Sequence, residues 1–158
     1  MANAEIVDLY PSVEDQVSPE EWQTRVDLAA AYRLADLYDM TDMTRTHISA
    51  RVPGEETFLL NPYGLMFNEI TASSLIKTDL EGNEIENNGP YKITRAGFTI
   101  HSAVHEARPE VACVMHTHSD AGMALSAMKC GLLFITQHSM RFYNRISYHD
   151  YEGPALDL

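Results

Sequence analysis

Four of the seven histidines fall within the stretch from Arg95 to Leu133, as two pairs: His101 with His105, four apart, and His116 with His118, two apart. Residues four apart share a face of a helix, and residues two apart share a face of a strand. His116 and His118 can therefore turn both imidazoles towards one divalent ion, a role that neutral imidazole fills for zinc, copper, iron or nickel. A catalytic zinc takes about three protein ligands and keeps one position open, so the pair is only part of a site. Taken alone, two histidines at a strand end are more often an accident of composition than a ligand set. Here the neighbouring helix carries two more, in a chain otherwise sparing of histidine. The reading carried forward has His116 and His118 as metal ligands, for zinc or another divalent ion.

Two kinds of element must position these pairs. Arg108-Pro109-Glu110 is a helix stop, since proline cannot continue a helix and disfavours helical geometry in the residue before it. Val111 to Met115 is a short apolar run of the kind that forms a buried strand, with the second histidine pair at its far end. Ser119-Asp120 caps a second short helix, predicted over Ala121 to Lys129 and closed by Gly131.

Upstream, Ser18-Pro19-Glu20-Glu21 is a helix start. Trp22, Val26, Ala29, Ala30, Leu34 and Leu37 then recur at helical spacing over about four to five turns, and Trp22 and Tyr32 are expected in the core. Ile48, Ala50 and Val52 alternate with Ser49 and Arg51, and Pro53 to Glu56 turns the chain into Thr57 to Leu60, which predicts a hairpin. Asn61-Pro62-Tyr63-Gly64 is a turn. Leu75-Ile76-Lys77 enters another strand, which Glu81-Gly82-Asn83 turns, and Asn87 to Tyr91 is a loop. Further strands are predicted over Leu132 to Thr136 and Phe142 to Tyr148. Mixed strands and helices in this order favour a sheet covered by helices.

The 158 residues suffice for one core, and one domain is expected: an acidic extension over 1–17, packed loosely or onto a neighbouring subunit, then a domain over 18–158. No apolar run approaches the length that crosses a bilayer. The N-terminus lacks a basic start followed by an apolar stretch, so no secretory signal is read there and the expected location is cytoplasmic. Cys113 and Cys130 are read as small buried side chains in a reducing compartment. A formal net charge of −12 argues against nucleic acid and anionic membranes as partners.

The run from Ala96 to Leu133 resembles the class II aldolase/adducin family. The resemblance extends outward through THISARVPG (46–54), NPYG (61–64), the ASSL loop and SYHDYEG (147–153), towards the adducin-type branch. It implies an α/β fold of three α-β-α layers, with a largely antiparallel central sheet flanked by helices and with its C-terminal part missing here. It also implies oligomers with sites near subunit boundaries, and His116 and His118 as two of three histidine ligands to zinc.

The resemblance has departures. The family's acid/base glutamate, nineteen residues before the first histidine of the pair, corresponds to Gly97. The two serines that hold substrate phosphate correspond to Arg95 and Ala96, and a glycine-asparagine turn corresponds to Thr46-His47. The family's third metal histidine lies in a later strand, beyond Leu158. Within the chain His105 is the first substitute and His101 the next, although a packing role is expected for both. His138 and His149 are read as surface or hydrogen-bonded histidines.

Two functions follow. One is a metal-dependent aldolase or lyase acting on a small hydroxy-carbonyl or carboxylate substrate, its catalytic residues unknown, with Tyr63 or a metal-bound hydroxide as base. The other is a non-catalytic adducin-like assembly module with a cytoskeletal (actin) partner. In either case a homo-oligomer is expected, because a domain lacking its last strands exposes apolar surface and a sheet edge.

Overall fold

The structure, a computed structural model, describes residues 9–151 and 153. Helix α1 (Pro19–Leu37) opens as expected: the Ser18 side chain accepts the Glu21 N–H at 3.1 Å, with Pro19 at the first position. Five strands follow, β1 (His47–Arg51), β2 (Thr57–Leu60), β3 (Ile76–Asp79), β4 (Glu84–Glu86) and β5 (Cys113–His116). They form one antiparallel sheet in the order β4-β3-β2-β1-β5. Helix α2 (Arg95–Ala107) precedes β5, and α3 (Asp120–Ser126) follows it. Arg108 ends α2, as the proline after it requires.

The side-chain alternation of β1 divides the molecule into layers. Ile48, Ala50 and Val52 pack with Leu28, Tyr32 and Ala35 of α1 and with Leu59, Phe67, Ile70 and Leu75 in one apolar core. Each fully buried side chain of this size contributes about 1.5–3 kcal/mol. The Tyr32 hydroxyl fixes α1 to the sheet, accepting the Ile48 N–H at 2.9 Å and meeting Asn61 Oδ1 at 2.8 Å. On the opposite face, His47, Ser49 and Arg51 meet α2, and Phe58 of β2 stacks with Phe98 at 6.1 Å. The sheet thus lies between α1 and α2, as the three-layer expectation has it. No helix among the described residues is long and apolar enough to cross a membrane.

Several expectations are corrected. The buried stripe of α1 is Glu21, Arg25, Leu28, Ala29, Tyr32 and Ala35, while Val26, Leu34 and Leu37 are exposed. Burial of an Arg25–Glu21 ion pair against Lys77 of β3 rotates the helix away from its most apolar face. Trp22 is only half-buried. Strand β5 sits at the sheet edge, so its residues alternate between exposed and half-buried, and Cys113 is exposed, as is Cys130. No strand forms over 132–136 or 142–148; a short 3-10 turn at Ser139–Phe142 interrupts irregular chain. Strand propensity there finds no neighbour to pair with, and Ile135 is 81% exposed. Helix α3 stops at Ser126, short of the expected Lys129. Of the expected extension over 1–17, residues 1–8 lie outside the described residues; over 9–17 most side chains are exposed, while Val13 is buried, its N–H reaches Ser73 Oγ at 3.3 Å, and Asn88 Nδ2 donates to the Pro11 carbonyl at 2.6 Å.

Candidate functional site

His116 ends β5 and His118 follows it, its backbone N–H held by the Met40 carbonyl at 3.1 Å. Their Nε2 atoms converge to 2.9 Å. On its other side His118 Nδ1 lies 3.0 Å from Asp42 Oδ2. A carboxylate there accepts a hydrogen bond from Nδ1–H and leaves the Nε2 lone pair facing inward, the arrangement by which metal-binding histidines are oriented. Burial, with His118 as a second cause, lowers the pKa of His116 and favours its neutral form. The donor chemistry of the pair therefore suits two positions of a divalent-metal site. A third is not supplied: among the described residues no group of three His, Cys, Asp or Glu side chains could hold a metal ion.

The expected substitutes do not complete it. His101 and His105 are fully buried, and both turn to Ser49 Oγ, at 2.6 and 2.8 Å. His105 also packs against the Phe58 ring at 4.9 Å. A packing role was expected of both, and to it the structure adds these hydrogen bonds. Tyr63 is exposed in the turn after β2, Arg95 is exposed at the start of α2, and His138 and His149 are exposed.

The sequence reading missed His47. Paired in register with His116 across β1 and β5, it stacks on it with ring centroids 4.7 Å apart and an interplanar angle of 17°. His47 Nδ1 lies 2.8 Å from His101 Nε2. Burial first, then the neighbouring His116 and His118, lowers its pKa to about 4. The signal was present, since His47 shares the parity of Ser49 and Arg51, but that parity resembles a solvent face. Asp42, the carboxylate behind His118, lies in irregular chain with no periodicity to mark it.

Gly97 explains how the His47 ring fits. A Cβ there would stand 2.7 Å from Thr94 Cγ2 and 2.9 Å from His47 Cδ2. The volume that a side chain at 97 would need is filled by imidazole. Gly97→Glu is accordingly expected to destabilise the fold by about 1–3 kcal/mol, the usual cost of overpacking, read as a lower urea midpoint with unchanged slope. An unchanged midpoint would show that His47 moves aside freely.

The comparisons with known proteins agree with this architecture. The Class II Aldolase and Adducin N-terminal domain family matches residues 26–158. A class 2 aldolase-like protein of Caulobacter vibrioides is 61% identical over 148 residues, which cover 93% of this chain and 57% of that one. Rat alpha-adducin is 45% identical over 135 residues, covering 84% of this chain and 18% of its own. The solved structure of an L-fuculose 1-phosphate aldolase from Glaciozyma antarctica is 34% identical with a TM-score of 0.74, over 87% of this chain and 55% of that chain. The chain thus spans little more than half the length of its bacterial relative. With the layered antiparallel sheet and the family match over residues 26–158, the chain belongs to the class II aldolase and adducin N-terminal domain family.

Proposed function

We propose that the chain is the metal-binding part of an aldolase-type lyase, acting on a small hydroxy-carbonyl or carboxylate substrate within a homo-oligomer. The observation that carries this reading is the convergence of His116 and His118 Nε2 to 2.9 Å, with Asp42 behind His118. Similarity to an L-fuculose 1-phosphate aldolase supports the reaction class. His116 and His118 would hold the ion, zinc or another divalent metal, with a third donor from outside the described residues. When bound, such an ion supplies Lewis acidity to a substrate oxygen.

The chain's own residues do the rest. Asp42 keeps the proton of His118 on Nδ1, and the His47 ring covers one face of His116. With Gly97 at the helix start, no carboxylate is available at that position for proton transfer. The test is cleavage of a panel of hydroxy-carbonyl compounds and their phosphates, before and after chelation. Chelator-sensitive release of an aldehyde supports the reading, and no cleavage of any member by metal-loaded protein opposes it.

A second reading has its own support. Gly97 together with the 45% identity to rat alpha-adducin fits a non-catalytic assembly module with a cytoskeletal partner. Actin co-sedimentation by protein inactive on the whole panel would favour it.

A further inference from the structure

Residues 9–17 form a strap that the loop after β4 latches to the sheet. Asn88 Nδ2 donates to the Pro11 carbonyl at 2.6 Å, and beyond it the N–H of buried Val13 reaches Ser73 Oγ at 3.3 Å. Beside the latch the Tyr10 ring rests on Gly89. A Cβ at Gly89 would stand 2.0 Å from Tyr10 Cε1 and 2.6 Å from its Cζ, so no side chain fits there while the strap is docked. Docking therefore demands glycine directly after the asparagine that holds the strap. Asn88-Gly89 is the only Asn-Gly pair in the sequence.

That pair carries its own chemistry. The backbone nitrogen after an asparagine can attack the side-chain amide carbon and close a five-membered imide, and glycine, without a Cβ, gives the least steric resistance. The nitrogen is held in place: Gly89 N–H donates to Asn87 Oδ1 at 3.1 Å, and Asn87 Nδ2 donates to Glu84 Oε2 at 3.0 Å and to the Tyr91 carbonyl at 2.8 Å. A cleft of about 270 Å³, lined by Val13, Gln16, Glu86, Asn87 and Asn88, opens beside the latch and admits water.

In the first step Gly89 N bonds to Asn88 Cγ while the Cγ–Nδ2 bond breaks, and Nδ2 leaves as ammonia with the proton that Gly89 N gives up. Water then adds to one of the two imide carbonyls and breaks its bond to that nitrogen. Opening at Cγ gives aspartate; opening at the backbone carbonyl gives isoaspartate, with the main chain rerouted through the side chain. Either product is a carboxylate, which accepts hydrogen bonds and cannot donate to the Pro11 carbonyl. It also adds a negative charge to the cleft that Glu86 lines. Closing the ring turns Asn88 Cγ onto Gly89 N and takes Nδ2 from Pro11, so conversion proceeds from the undocked strap and its product cannot latch again.

We propose that Asn88 is a self-modification site, an asparagine that cyclises onto Gly89 and hydrolyses, and that its conversion releases the strap of residues 9–17 in one direction only.

The experiment incubates the 158-residue chain at pH 8 beside a free peptide of residues 84–92. Peptide mapping reads aspartate and isoaspartate at position 88, and amide hydrogen exchange reads the Val13 N–H. Once the peptide has converted, part of the protein is expected to have converted too, with Asn87 unchanged. In the converted fraction the Val13 N–H should exchange about fivefold faster, the loss of one hydrogen bond. Asn88→Asp should show that faster exchange without incubation. Asn88→Gln, whose longer side chain would have to close a less favourable six-membered ring, should stay unconverted. Asparagine retained in full at 88 when the peptide is exhausted overturns the modification. Val13 exchange equal in Asn88→Asp and the wild type overturns the release.

Discussion

Metal-free protein that is stable at pH 7.5 is expected to lose most of its stability between pH 6.5 and pH 5. The groups responsible are His47, His101 and His105, all buried where α2 packs on β1. Burial is the first cause for each and lowers their pKa values to about 4, about 3 and about 4. Neighbouring histidines lower His47 and His101 further, and Arg51 lowers His105. The unfolded chain binds a proton at each ring below about pH 6.5, whereas the folded chain does not until near pH 4. Stability is therefore complete above the unfolded value and falls as the pH drops towards the folded ones. Each such histidine contributes a slope of about 1.4 kcal/mol per pH unit within that window. Three together can remove several kcal/mol across one and a half units, a large part of the 5–15 kcal/mol typical of a domain. Ordinary carboxylates titrate lower, near pH 4, so they do not mimic the effect. Urea midpoints at pH 7.5, 6.5, 5.5 and 5.0 check it, and a midpoint flat over that range would mean that these rings are not held neutral.

The second large effect is expected at the opposite face of the sheet. Arg25 Nε donates to Glu21 Oε1 at 2.8 Å and its guanidinium to the Leu75 carbonyl at 2.8 Å, while Lys77 Nζ meets Glu21 Oε2 at 2.8 Å. The Arg25, Glu21 and Lys77 side chains are only 1%, 3% and 8% exposed. Arg25→Ala leaves a buried carboxylate with one partner and a strand-end carbonyl with no donor. Breaking a buried pair from one side costs about 3–5 kcal/mol. Glu55, which also meets Lys77 at 2.9 Å, is 41% exposed on its side chain. An exposed partner contributes about 0–1 kcal/mol. Denaturation of Arg25→Ala and Glu55→Ala side by side should therefore give very different shifts, and similar small shifts in both would contradict the network's role in docking α1.

These same residues show what a sequence can and cannot disclose. The serine cap and proline of α1, the β1–β2 hairpin, the stop after α2 and the serine cap after the histidine pair are local signals, and each stands where the sequence places it, although the helix that Ser119 caps ends at Ser126. Burial across elements is a different matter. Nothing near Glu21 and Arg25 in the chain announces Lys77 or the Leu75 carbonyl. On β1 the same difficulty hides the site's neighbour. Ile48, Ala50 and Val52 mark the core face, and the alternating polar residues look like a face for water. Instead His47, Ser49 and Arg51 are covered by α2, whose own histidines supply their hydrogen bonds. A polar strand face and a histidine-bearing helix face are each unremarkable alone; only their juxtaposition makes a buried network. The apolar runs at 132–136 and 142–148 fail for the converse reason, since strand propensity without a partner strand leaves the chain irregular.

The metal reading of His116 and His118 unites the family resemblance, the convergence of the two Nε2 atoms and the orienting carboxylate of Asp42. Its most direct test is elemental analysis of the purified chain beside His116→Ala, with both shown to be folded. The account predicts near-stoichiometric zinc, iron or manganese in the wild type and its loss in the variant. Metal absent from the wild type even after incubation with each ion, or retained in full by His116→Ala, would contradict it.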